Sequence, residues 1–436
     1  MRRRKLLQLA GAGLASLALP TPRLYAQSPT IRIGLLHDLS GPFAGAGSVP
    51  LSIGAQLAID YVNGKGGVAG KYKVEPVPAD SQSKIDVGIN ETERLLNQEK
   101  VDIVLGVYSS AQAVPLAAKV EQEKKILWIN SAIATTVLKD KHFQYIFRPT
   151  VNSDGYAQAA MSFLADNAKT KLGTDPKDLK LALIDEDGPY GTAVQGGDET
   201  WAAKKGFTQI VLKESYSASA PDLSSLITKL RRARADIIIH AGYNPDITLF
   251  LRQAREAGLK FKMLIGNGAG YSQLDKLRET FHDDVDNFCN IDPAPAQRLD
   301  PKKLAPGVGD LIKIMVDGYK AKTGATELPT HCSMGFNNTW ILLEKVLPIA
   351  TSKYGGFDAE AVRKAALDVD IPLGGTLQGY GVKFLPPDDA MAGQNERALP
   401  VVMQNHGAEI TVVWPTEIQT QAPVLPLPSS SPYAMS

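Results

Sequence analysis

Residues 86–108 read DVGINETERLLNQEKVDIVLGVY, and residues 222–243 read DLSSLITKLRRARADIIIHAGY. Each is an amphipathic segment of period 3.6 that runs into a short apolar strand. Each is preceded by another short apolar strand that ends in acid, IRIGLLHD at 31–38 and LKLALIDED at 179–187. Each is followed by a further helix and a third strand, ILWIN at 126–130 and MLIGN at 263–267. The same α/β unit is therefore written twice. Strands that alternate with helical patterns mark parallel βαβ units and a doubly wound sheet. Two copies predict two Rossmann-like lobes with a cleft between them.

In the first copy the pattern predicts helices over 51–63, 87–98 and 113–123 and strands over 72–78, 102–105 and 126–129. Gly64, Gly66 and Gly67 end the first helix. The second copy repeats the scheme from Leu179 to Asn267. A polar, Pro-containing passage at 147–154 (FRPTVNSD) reads as the first crossover between lobes. A second lies at 287–295 (NFCNIDPAP), and a third, turn-rich, at 371–381. Helices are expected over 311–322 and 334–347, and strands over 382–385, 401–404 and 410–414. Lobe one is thus expected to comprise 27–148 and 292–372, and lobe two 149–291 and 373–416. Three passages between two lobes form a hinge, whose closure around a ligand is the expected motion. The Pro/Ser-rich tail, 417–436, is expected to lie extended on the surface or to be disordered.

The N-terminus reads as an export signal spanning residues 1–26. Arg2, Arg3, Arg4 and Lys5 precede an apolar run, Leu6 to Leu19, that is too short for a membrane span. The order RRKLLQ is compatible with twin-arginine export or with an ordinary secretion signal. No cysteine follows the run, so no lipid anchor is expected there, and the mature protein is expected in the periplasm. The 47 Lys+Arg balance 46 Asp+Glu, which argues against a nucleic-acid or polybasic membrane role. The only two cysteines, Cys289 and Cys332, either pair in that oxidising compartment or remain two buried thiols. No C-x-x-C, Cys/His cluster or calcium-loop spacing is present, so neither metal nor cofactor is expected.

Several stretches, in this order and spacing, resemble the periplasmic solute-binding proteins of ABC importers of the branched-chain amino acid and amide class. These are the type I, Leu/Ile/Val-binding-like proteins. The stretches are LSGPFAGAG (39–47), GAQLAIDYVNGKGGVAGKY (54–72), GVYSS (106–110), DEDGPYGTA (185–193), HAGYNPDITLFLRQAREAGLK (240–260) and VKFLPPDDAMAGQN (382–395). The resemblance implies the type I periplasmic binding fold, a small-molecule carboxylate ligand, a membrane permease as partner and a monomer.

It also implies that the ligand carboxylate sits at a helix start in lobe one, where Ser109 and Ser110 stand. Free N–H groups and the positive dipole end make such a point an anion site. Plain helix capping is the alternative role for these serines. Lobe two of such proteins supplies two tyrosines, matched here by Tyr190 and Tyr243. Both lie just past the C-terminal ends of expected strands, where open α/β sheets meet ligands.

The departures from the family pattern concern the ligand's amine. The run Gly266-Asn267-Gly268-Ala269-Gly270 carries no carboxylate where amino-acid binders place one. In the loop Ser131-Ala132-Ile133-Ala134-Thr135, Ala134 replaces a hydroxyl, with Ala132 beside it, and Ala46 replaces an aromatic residue. An unpaired buried ammonium is costly. The expectation is therefore an amine-free organic acid, aromatic or otherwise extended, with Asn267 and Gly268 near it. Phe43, Tyr108, Tyr190 and Tyr243 would supply flat walls. His37 and His331 are candidates for a polar tail group, although a structural role is the plainer reading of each. An amino-acid or amide binder of the same class is the alternative ligand reading. Enzyme motifs are absent: the six histidines are scattered, and G-x-S-x-G and H-E-x-x-H do not occur. A ligand-presenting partner of a separate sensor is a further alternative.

Overall fold

A computed structural model describes residues 30–325 and 327–435. The expected export signal lies outside the described residues. The first lobe opens with β1 (Thr30–His37), α1 (Val49–Gly64), β2 (Lys73–Asp80), α2 (Ile85–Glu93), β3 (Ile103–Gly106), α3 (Ser110–Gln122), β4 (Ile126–Ile129) and β5 (Ile146–Phe147). They form a five-stranded parallel sheet in the order β2-β1-β3-β4-β5. The strands β3 (IVLG) and β4 (ILWI) are buried at every residue. They are continuous apolar runs, as parallel strands covered by helices on both faces must be.

The chain then crosses and builds α4 (Ser153–Ala168), β6 (Lys180–Glu186), α5 (Pro189–Lys204), β7 (Gln209–Tyr216), α6 (Ser224–Ala233), β8 (Ile237–Ala241), α7 (Asn244–Glu256), β9 (Met263–Asn267), α8 (Leu274–Phe281) and β10 (Cys289–Asp292). It returns to the first lobe as α9 (Val308–Thr323), α10 (Thr330–Ile341), α11 (Leu347–Lys353) and α12 (Ala359–Asp368). It ends in the second with β11 (Val401–His406) and β12 (Glu409–Trp414). The second sheet has seven strands in the order β12-β11-β10-β9-β8-β6-β7, with β11 and β12 antiparallel. The helices α1 and α10 cross in close contact. A Cβ on Gly54 would overlap the Cys332 carbonyl oxygen, and one on Gly335 that of Leu51. Glycine at both positions is what brings α10, and with it His331, this near the cleft.

Several expectations need correction. The segment 382–385 is not a strand of either sheet; it makes isolated bridges, Ile371 with Val382 and Phe384 with Asn395. Leu377, Val382 and Phe384 pack in the first lobe's core, with Phe384 edge-on to Trp128 and Phe147. The third crossing therefore comes after Phe384, not at residue 373. Helix α3 begins at Ser110 rather than Ala113, and α10 begins at Thr330 rather than Met334. The tail runs along the surface of the second lobe and is pinned to it at a few buried side chains. Leu427 and Tyr433 are buried in the second lobe, and Tyr433 stacks on Phe261 with ring centroids 5.4 Å apart. Cys289 and Cys332 are free thiols buried in different cores, so the pairing alternative falls.

Candidate functional site

Between the lobes lies a narrow cavity, with about 30 Å³ open to a water-sized sphere. The first lobe lines it with Tyr108, Ser110, Ser131, Ile133, His331 and Met334. The second lines it with Tyr156, Tyr190, Tyr243, Gly268 and Asp292. Most of these stand at strand ends or helix starts, because parallel strands leave their C-terminal edges open to a crevice.

At one end is the start of α3. Ser109 is its N-cap residue, in extended conformation, and makes no side-chain cap bond. Its buried hydroxyl lies near the Tyr243 phenol across the cleft and has no well-formed hydrogen bond. Ser110 Oγ accepts the Ala134 N–H at 3.2 Å, which leaves its own proton to donate. The first N–H groups of α3 and this hydroxyl together leave donors free at this end of the cavity. Ala132 and Ala134 do not line the cavity; both lie in the core beneath it. Their neighbours Ser131 and Ile133 face it instead, because the loop alternates its sides.

The walls are aromatic. Tyr190 donates its hydroxyl to the Asn267 carbonyl, which fixes its ring. Tyr243 stands 5.3 Å from Tyr190 and 6.3 Å from Tyr108, centroid to centroid. Its backbone N–H donates to Asp246 Oδ1 at 2.9 Å, part of a capping box that anchors the start of α7. Burial pushes all four cavity tyrosines well above the usual phenol range, so they stay neutral donors. His331 lies edge-on to Tyr108 at 5.4 Å, and burial pulls it down to about 4, so it is neutral at pH 7. Gly47, with φ at +146°, passes over both. A Cβ there would come within 2.9 Å of the Tyr108 hydroxyl and His331 Nδ1.

Phe43, His37 and Asn267 also lie outside the cavity wall, as Ser109, Ala132 and Ala134 do. Phe43 packs against Tyr108 and Tyr243 from outside it. His37 is buried at the end of β1, away from the lining residues. Asn267 contributes its carbonyl to Tyr190, while its buried side-chain amide has no partner among the described residues.

Sequence reasoning missed Ser131, Ile133, Tyr156, Met334 and, most consequentially, Asp292, at the end of β10. Its carboxylate accepts from Tyr156 Oη at 2.5 Å and from the Ser272 hydroxyl. Burial raises it to about 6, opposed by those two donors. Among the described residues no cationic group pairs with it. The premise that the cavity lacks a carboxylate is thus corrected: Gly266–Gly270 has none, but the next strand brings one to the same wall. The passage 287–295, read as a crossover, contains the buried strand β10, and that strand is what places Asp292 here. Tyr156 gave no signal in the sequence, since it sits in the almost uniformly buried α4. No group of three or more metal-ligating side chains occurs among the described residues. No helix among them is long and apolar enough to cross a membrane.

Two doubly wound α/β lobes, crossed three times by the chain and closed on a polar-ended aromatic cavity, define a type I binding protein. Residues 30–403 match the model of the periplasmic binding protein family, and the chain belongs to that family. It is 32% identical over 388 residues to Leu/Ile/Val-binding protein homolog 7 of Brucella suis, covering 89% of this chain and 92% of that protein. Among solved structures it resembles the branched-chain amino acid transporter substrate-binding protein LivJ of Streptococcus pneumoniae in complex with isoleucine. That match has a TM-score of 0.69 at 20% identity, over 88% of this chain and 100% of the other. It also resembles a solute-binding protein of an ABC transporter from R. palustris in complex with 4-hydroxybenzoate. There the TM-score is 0.69 at 14% identity, over 90% of this chain and 97% of the other. The family is one of solute binding.

Proposed function

We propose that this protein is the periplasmic solute-binding component of an ABC importer and closes on a small carboxylate ligand. The start of α3 with Ser109 and Ser110 takes the carboxylate. The tyrosines hold the ligand's body, and Asp292 takes a hydrogen-bond donor at the far end. The membrane permease is the partner that receives the ligand, and the protein acts as a monomer.

The observation that carries the ligand class is Asp292. A buried carboxylate without a cation is an unfavourable arrangement that a ligand ammonium or amide N–H relieves. This favours an amino acid or amide and reverses the preference for an amine-free acid, which rested on a missing carboxylate. A second reading, a phenolic acid, keeps support from the four tyrosine faces, since a phenol can donate to Asp292 as well. The isoleucine and 4-hydroxybenzoate complexes of the two structural neighbours represent these two chemistries.

Thermal-shift screening of the mature protein tests this, with leucine, isoleucine, phenylalanine, their amides, benzoate and 4-hydroxybenzoate. A ligand at about 100 times its Kd adds about 2.7 kcal/mol to stability. A response confined to amino acids or amides supports the first reading, and one confined to aromatic acids the second. A response to none of these compounds would overturn both.

A further inference from the structure

Arg148 is the one Lys or Arg among the buried described residues, and it is fully buried. It lies on the first hinge passage. Its backbone joins that passage to the third: Arg148 N–H donates to the Gly393 carbonyl at 2.8 Å, and Asn395 N–H to the Arg148 carbonyl at 3.0 Å. Gly393, with φ at +77°, permits this approach, since a Cβ there would overlap the Ile146 carbonyl oxygen. The guanidinium has only neutral partners. Nε donates to Gln394 Oε1 at 2.7 Å, and Nη1 to the Ala132 and Ala134 carbonyls at 3.1 and 2.8 Å. Nη2 has no partner among the described residues. Burial pulls the group down to about 9, so it remains a cation at neutral pH.

Those carbonyls belong to the loop whose alternate residues, Ser131 and Ile133, face the cavity. The Ala134 peptide is held on both sides. Its carbonyl takes Arg148, and its N–H donates to Ser110 Oγ, which leaves the Ser110 proton free to donate. An unpaired buried cation behind the start of α3 has no counter-ion among the described residues. A carboxylate in the cleft is the anion that completes it.

We infer that Arg148 is a positioning residue that links the hinge to the α3 end of the cleft, orienting Ser110 through the Ala134 peptide and favouring a carboxylate by its charge. The inference rests on the carboxylate reading of the ligand. It goes beyond it by placing part of the selectivity in a hinge residue that does not line the cavity.

The test compares wild type, Arg148→Met and Arg148→Lys by calorimetric titration. The probes are leucine and 4-hydroxybenzoate, each beside its primary amide. In the same proteins, amide hydrogen exchange is followed over residues 131–135 and, as a check of folding, over the strands of the second sheet. Arg148→Met is expected to weaken binding of the acid by about tenfold or more while the amide changes by less than about threefold; Arg148→Lys recovers part of the loss. Exchange at 131–135 rises in Arg148→Met and not in the second sheet. Equal losses for acid and amide, or no loss, overturn the electrostatic role. If wild type binds none of the four probes, the carboxylate reading fails by itself, and exchange then decides the inference. Unchanged exchange at 131–135 overturns it, and faster exchange confined there supports the link from hinge to loop.

Discussion

The ring of Phe43 in the first lobe stands 4.4 Å from that of Tyr243 in the second, centroid to centroid and tilted by 36°. It lies outside the cavity that Tyr243 lines, so it closes the cleft without touching what the cleft holds. Such a contact exists only while the lobes are together. Phe43→Ala is expected to speed ligand release two- to tenfold, from a loss of about 0.5–1.5 kcal/mol, with little change in association. Stopped-flow tyrosine fluorescence with a bound probe from the screening panel measures both rates. An unchanged release rate would show that the contact does not hold the closed state.

Asp292 should be visible in the ligand-free protein. Its ordinary value of 3.8 is raised to about 6 by burial. The unfolded chain therefore gives up this proton at lower pH than the folded one, and the folded state loses stability as pH rises from about 4 to about 6. The loss is complete above that window and amounts to about 3 kcal/mol. Asp292→Asn removes it. Relative to wild type, the variant should gain about 2–3 kcal/mol between pH 4 and pH 7.5 in urea unfolding. Buried histidines such as His37 and His331, both pulled down to about 4, act in the opposite direction below pH 6.5. They are common to both proteins and cancel in the difference. A difference that does not vary with pH would place the Asp292 pKa near its ordinary value.

The same variant separates the two ligand chemistries. Removing the charge opposite a bound ammonium is expected to weaken an amino acid by about 2–4 kcal/mol, and a phenolic acid by less than about 1 kcal/mol. Calorimetry with leucine and 4-hydroxybenzoate reads this directly. A larger loss for the phenolic acid than for the amino acid would reverse the preferred ligand class.

The C-terminal tail contributes side chains to the second lobe's core. Tyr433 packs against both Phe261 and Phe288 and donates its hydroxyl to the Leu251 carbonyl at 3.1 Å. Tyr433→Ala should destabilise the protein by about 3–5 kcal/mol. Thermal unfolding monitored by calorimetry would show it, and a change under about 1 kcal/mol would mean that the tail contributes no core.

The two thiols offer a test of the internal arrangement. Burial pushes both well above the usual thiol range. A thiol reagent should therefore label neither in the native protein and both after unfolding without reductant. Labelling of neither after unfolding would reveal a disulfide.

The repeated α/β unit and the class of protein were legible in the amino-acid order, because hydrophobic period and glycine placement act over a few residues. IVLG and IIIHA read as buried parallel strands wherever they occur. The serines at the start of α3 and the tyrosines past the strand ends were equally local signals. Asp292 was not, because its importance comes from β10 lying beside β9 in the sheet, which places it against a wall contributed by residues far away in the chain. The exchange of Ala132 and Ala134 for Ser131 and Ile133 as lining residues has the same origin. Which side of a loop meets the cleft is set by what the other side must satisfy, here the guanidinium of Arg148. Local sequence therefore determined the elements and the kind of molecule. Only packing between distant segments decided which charges are buried, what they face and how the cleft selects its ligand.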